Sequence, residues 1–191
     1  MCFLVHRHSC LCHLRRNYKR IGPEVAPDFT LPHYYPENRI MDARIDPAKA
    51  AALPAYKAMF ALQAAVNATS LESSLQELIK LRVSQINGCA FCIDMHFREA
   101  TAKGEKPERL YLLDAWREAP VYTDRERAAL AWAESVTLVN QNHVPDEVFA
   151  EAKEHFSEDE LVSLTLAVVA INGWNRFSIG FRAVPTLGKH R

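Results

Sequence analysis

The sequence carries no net charge, no long apolar run and no cysteine ladder, and each absence closes off a class of function. Lys+Arg and Asp+Glu stand at 23 each in 191 residues, so no global field draws the chain to nucleic acid or to an acidic partner. The longest apolar stretch, Leu164 to Ile171, falls far short of the roughly 18–20 residues that a bilayer-spanning helix needs, so no membrane partner is expected. The five cysteines form two clusters, Cys2, Cys10 and Cys12, then Cys89 and Cys92. An odd number with nothing after Cys92 is not a secreted disulfide framework. A close pair in an otherwise cysteine-free core points to redox or metal chemistry in a reducing compartment, and a cytoplasmic location is expected. What is present is apolar content: 49% of residues, enough for a packed core.

Residues 1–40 differ from the rest. They hold four of the eight histidines, and five basic residues with no acidic one before Glu24, followed by Pro23, Pro27, Pro32 and Pro36. No helical or strand period is visible, so the stretch is expected to be a disordered extension that cannot offset its ordering entropy. An organelle transit peptide and a gene start placed too early, with translation beginning at Met41, are the alternatives. His8, Cys10, Cys12 and His13 could bind a soft metal, but a disordered tail is a poor frame for one.

From residue 41 to residue 191 one domain of consecutive helices is expected. Asp46-Pro47 opens an alanine-rich helix running to about Asn67. A second runs from about Leu71 to Ile86, burying Leu75, Leu78, Ile79, Val83 and Ile86, and Asn87-Gly88 stops it. A third spans Cys89 to about Gly104, and a short fourth follows Pro107 to Trp116. Thr123-x-x-Glu126 caps a fifth and Pro145 opens a sixth. Ser157-x-x-Glu160 caps the last, which reaches about Phe181 and is apolar almost all round between Leu161 and Ile171. No alternating strand pattern and no fixed-period repeat competes. The expected class is all-α.

Chemistry concentrates in Asn87-Gly88-Cys89-Ala90-Phe91-Cys92-Ile93-Asp94-Met95-His96. On a helix beginning at Cys89, Cys89, Cys92 and His96 share one face, with Ile93, Phe97 and Ala100 as an adjacent anchoring stripe and Asp94 solvated. A helix N-terminus favours thiolate, a second thiol can resolve a sulfenic acid, and a histidine one turn on can move protons. Two inert buried thiols remain an alternative. Zinc wants four ligands and the core offers no second cysteine pair; a c-type haem needs histidine where Ile93 stands. No metal or cofactor is therefore assigned. Glu77 lies off its helix's apolar stripe and could simply pair with Lys80 on a solvated face. Asn172, Trp174, Asn175 and Arg176 interrupt the last helix and are expected to bond between helices or subunits. Trp116 and Trp132 read as core.

The segment NGCAFCIDMHFREA, with Glu77 twelve positions before Cys89 and Ile171-Asn172-Gly173-Trp174-Asn175-Arg176 downstream, resembles the AhpD-like alkylhydroperoxidases of the carboxymuconolactone decarboxylase superfamily. The resemblance covers about Met41 to Arg182. It implies an all-helical oligomer (dimer, trimer or hexamer) that reduces hydroperoxides, with a reduced lipoyl-bearing or thioredoxin-like protein as dithiol donor. Carried over by position, it implies that Cys92 attacks the peroxide, Cys89 resolves it, and His96 and Glu77 relay protons. Phe91 stands where the best-studied relatives carry a second relay histidine. The superfamily's true decarboxylases generally lack the cysteine pair, which argues against lactone decarboxylation. Two other readings stay open: a disulfide reductase or redox sensor with little peroxide turnover, and a non-catalytic helical oligomer.

Overall fold

A computed structural model describes residues 42–185; the expected extension over residues 1–40, with its candidate soft-metal grouping, lies outside them. The described residues are helical throughout, with no strand: α1 Pro47–Ala51, α2 Pro54–Asn67, α3 Ser73–Asn87, α4 Ala90–Ala102, α5 Pro107–Tyr111, a 3₁₀ turn Leu113–Ala115, α6 Asp124–Thr137, α7 Val139–Asn142, α8 Asp146–His155 and α9 Glu158–Gly180. The all-α class is observed.

Several boundaries differ from expectation for local reasons. The alanine-rich segment is two helices, because Pro54 has no amide to donate and its ring opposes the carbonyl four residues back. Chain turning is completed by Leu53 N donating to Ala50 O at 3.0 Å. The helix expected through Trp116 gives way after Tyr111 to the 3₁₀ turn, and α7 was not foreseen. Both capping boxes form, Thr123 with Glu126 and Ser157 with Glu160, each holding two N-terminal amides.

At the end of α3 the chain must reverse within two residues. Gly88 takes φ +67°, a left-handed conformation that costs an L-residue about 1–2 kcal/mol. Gly88 N donates to Gln85 O and Cys89 N to Ser84 O, so the carbonyls at the end of α3 are bonded as α4 begins. Cys89 is therefore the N-cap of α4, not its first helical residue.

Helix α3 packs on α4, α6 and α9. One face, Leu75, Ile79 and Val83, meets Trp132, Leu164 and Ile171. Another, Leu78 and Leu81, meets Ala100, Leu110, Leu113 and Leu130. Burial on both sides overturns the reading of Glu77 on a solvated face: Glu77 and Lys80 are both buried. It also leaves α9 less enclosed than its composition suggested. Leu164, Val168 and Ile171 are core, but Val162 is 70% exposed and Val169 51%. These two border an apolar cleft of about 600 Å³ lined also by Trp132, Phe149, Leu161 and Leu166.

Candidate thiol site

The tight Gly88 turn delivers Cys89 to the mouth of α4, and one turn of helix returns Cys92 to the same side. Both sulfurs are free thiols and buried. They lie 2.8 Å apart, in hydrogen-bond contact rather than at the roughly 2.05 Å of a disulfide. The Cys92 sulfur also lies 3.5 Å from the Ser178 hydroxyl on α9.

Two thiols this close do not ionise independently. The Cys92 thiol, donating to Cys89, holds the Cys89 thiol down at about 6 against the opposing effect of burial, with smaller help from the Cys92 amide, Ser178 and Asn175. The same contact, and then burial, pushes Cys92 well above the ordinary thiol range. Their contact thus favours losing the first proton from the cysteine at the helix N-terminus.

Asn175 is fully buried, and its amide is satisfied by the end of α3. Its Oδ1 accepts from Asn87 Nδ2 at 2.9 Å and its Nδ2 donates to Ser84 Oγ at 3.0 Å. Asn87 Nδ2 also reaches Asn172 Oδ1 at 3.0 Å, and Asn172 Nδ2 donates to Thr137 Oγ1 at 3.1 Å. Trp174 Nε1 donates to Gln63 on α2. The expected inter-helix bonding holds for these three. Arg176 makes no bond to another helix among the described residues: exposed, it donates back to Asn172 within α9.

A second pair stands one turn along α4. Buried His96 places Nδ1 3.0 Å from Glu77 Oε2. The other Glu77 oxygen accepts from Lys80 at 3.2 Å and Lys103 at 2.8 Å. Burial opposes charge on Glu77, yet its bonds to His96 and Lys103 and the nearby Lys80 ammonium win, bringing it down to about 2. Burial likewise opposes charge on His96, and the carboxylates of Glu77 and Glu99 overcome it, so His96 is raised. Among the described residues no hydrogen bond joins His96 to either sulfur. Glu77, His96 and Glu99 carry ligand atoms within 4.8 Å of one another, but two ammonium groups already occupy Glu77 and would repel a divalent cation.

The structure thus brings Cys89 to Cys92 and Glu77 of α3 to His96, with Cys92 and His96 one turn apart on α4. Other expectations shift. Of the expected stripe, Ala100 is core and half-buried Ile93 packs against it, but Phe97 is exposed, because the face of α4 against the core runs through Cys92, His96 and Ala100. Asp94 is not freely solvated but ion-paired with Arg98 at 3.0 Å. Trp116 and Trp132 are buried as expected. Sequence reasoning missed Lys103 and Ser178. Ser178 had a signal, since it follows Asn175 by three residues on one face of α9; Lys103, distant in sequence from Glu77, had none.

Against known proteins, the carboxymuconolactone decarboxylase family profile matches residues 54–135. The uncharacterized protein YdfG of Bacillus subtilis (strain 168) is 45% identical over 123 residues, 64% of this chain and 84% of that one. A crystal structure of an Agrobacterium tumefaciens protein of unknown function, suggested to be the antioxidant defence protein AhpD, is 45% identical. It superposes with a TM-score of 0.73 over 75% of this chain and 98% of that one. The debrominase Bmp8 shares the fold at 20% identity, with a TM-score of 0.60 over 69% of this chain and 70% of that one. The motif, the helical fold and these likenesses agree, and the chain belongs to the carboxymuconolactone decarboxylase family, on its AhpD-like side.

Proposed function

We propose that the chain is a thiol-dependent peroxidase that cycles between a Cys89/Cys92 dithiol and a disulfide. One observation carries the reading: two buried free sulfurs 2.8 Å apart at a helix N-terminus, with a buried Glu77–His96 ion pair one turn on. The Cys89 thiolate takes the proton of Cys92 as the Cys92 sulfur attacks the terminal oxygen of a hydroperoxide. A sulfur–oxygen bond forms, the oxygen–oxygen bond breaks, and the alkoxide leaves as alcohol with a proton. Cationic His96, held by Glu77, replenishes that proton through solvent. The Cys89 thiol, losing its proton again, then attacks the sulfenic sulfur. Hydroxide departs with a proton as water, leaving the disulfide.

An external dithiol, from a reduced lipoyl-bearing or thioredoxin-like protein in the cytoplasm, returns the pair to its reduced state. Bringing the sulfurs to bonding distance takes a shift of about 0.8 Å, within a side-chain rotation. The likeness to the Agrobacterium protein supports antioxidant chemistry.

One equivalent of alkyl hydroperoxide should remove two thiols from the Cys89/Cys92 peptide, a dithiol should restore them, and a panel of dithiol donors should support steady turnover. Unchanged thiol counts would leave the cysteines structural. Disulfide formation without turnover on any donor would instead favour the sensor reading. A brominated pyrrole belongs in the acceptor panel, because a variant of the debrominase Bmp8 that shares the fold is seen in complex with 2,3,4-tribromopyrrole.

A further inference from the structure

We infer that Ser178 completes the thiol site, its hydroxyl supplying Cys92 with a polar contact from across the α4–α9 interface. The Ser178 hydroxyl lies 3.5 Å from the Cys92 sulfur, within reach of a hydrogen bond to the larger sulfur atom.

Its height is fixed by neighbours on both sides. One turn earlier Asn175 is tied to Ser84 and Asn87. Just beyond, the carbonyls of Gly180 and Phe181 accept from Arg44 Nη1 and the Arg44 amide, both at 2.9 Å. Both cysteines are 1% exposed whereas Ser178 is half-buried, so the hydroxyl belongs to the residue of the trio that is least enclosed.

A hydroxyl suits this place because it can follow the proton. It accepts from Cys92 as a thiol and donates to Cys92 as a thiolate. Consistently, the Ser178 contact eases ionisation of both cysteines. The effect on turnover rests on the peroxidase reading; the effect on thiol ionisation does not.

The test uses the full chain with Ser178→Ala and Ser178→Thr. Iodoacetamide alkylation of the Cys89/Cys92 peptide is followed by mass spectrometry against pH, beside peroxide turnover and a thermal melt. Loss of the hydroxyl in the alanine variant should raise the alkylation midpoint by about 0.5–1 pH unit. It should also lower kcat/KM about 3- to 10-fold, and threonine should restore both. An unmoved midpoint, or a threonine variant no better than alanine while melting normally, overturns the assignment. A shifted midpoint in a chain that reduces no peroxide keeps Ser178 and removes the peroxidase. Unaltered ionisation with full turnover does the reverse.

Discussion

Glu77 is the side chain on which the charged half of the site turns, since His96, Lys80 and Lys103 all bond to it. Breaking a buried ion pair from one side costs on the order of 3 kcal/mol, so Glu77→Gln should lower stability by about that much in urea titrations near neutral pH. The pH dependence has two limbs. Glu77 falls from an ordinary 4.5 to about 2 on folding, so its contribution is present above about pH 4.5 and is lost as pH falls toward 2. His96 is raised above its ordinary 6.5, so its contribution is full below that value and fades as pH rises through the folded one. Glu77→Gln should flatten both limbs of midpoint against pH; a variant with both limbs intact would show that the charge is not what the ion pair contributes. The cysteine roles are tested separately. Cys89→Ser should accumulate a trappable sulfenic acid on Cys92 when peroxide is added. A sulfenate in Cys92→Ser, with none in Cys89→Ser, reverses the assignment. Cys89, Cys92 and His96 were legible because helical spacing is a local property. Glu77 was legible only through resemblance: periodicity placed it on a solvated face, and nothing in its neighbours announces a helix buried on two sides.

Helix boundaries follow local chemistry where a single residue decides them. Gly88, Thr123 and Ser157 each mark an observed boundary, because a left-handed turn and a capped amide need particular side chains. Pro54 carried an equally plain signal that the alanine-rich pattern around it obscured, whereas α7 is a single turn of four residues that buries none of them and so leaves no periodic pattern to read. The Gly88 turn gives a clean test. An added Cβ would meet nothing within 4 Å, so Gly88→Ala carries backbone strain alone. It should cost about 1–2 kcal/mol and, by loosening the α3–α4 junction, slow disulfide formation between Cys89 and Cys92. If the melt falls but disulfide formation keeps its rate, the turn serves folding and not the thiol geometry.

At the scale of the whole molecule, the described fold leaves apolar surface uncovered: Val162 and Val169 on α9, Phe149 on α8 and Phe60 on α2 are all exposed. The sequence signalled this obliquely, since a helix apolar all round needs cover that about 150 residues cannot supply on every side. We expect a homo-oligomer, and a monomeric mass by light scattering at micromolar concentration would contradict it. Val162→Glu with Val169→Glu should then shift the mass toward monomer without altering the helical spectrum. A chain beginning at Met41 should keep its fold and its peroxide turnover, because nucleophile, resolving thiol and relay all lie within the described helices. Normal folding with most turnover lost would bring a cysteine of the first 40 residues into the mechanism. Arg44 clasps the final turn of α9 through Gly180 and Phe181, so the two ends of the helical unit are neighbours. A permuted chain, with a short linker joining those two ends and new termini opened at His143 in the α7–α8 loop, should therefore keep the helical spectrum of the parent, and a lost spectrum would show that Val144, packed against the core, needs the unbroken loop.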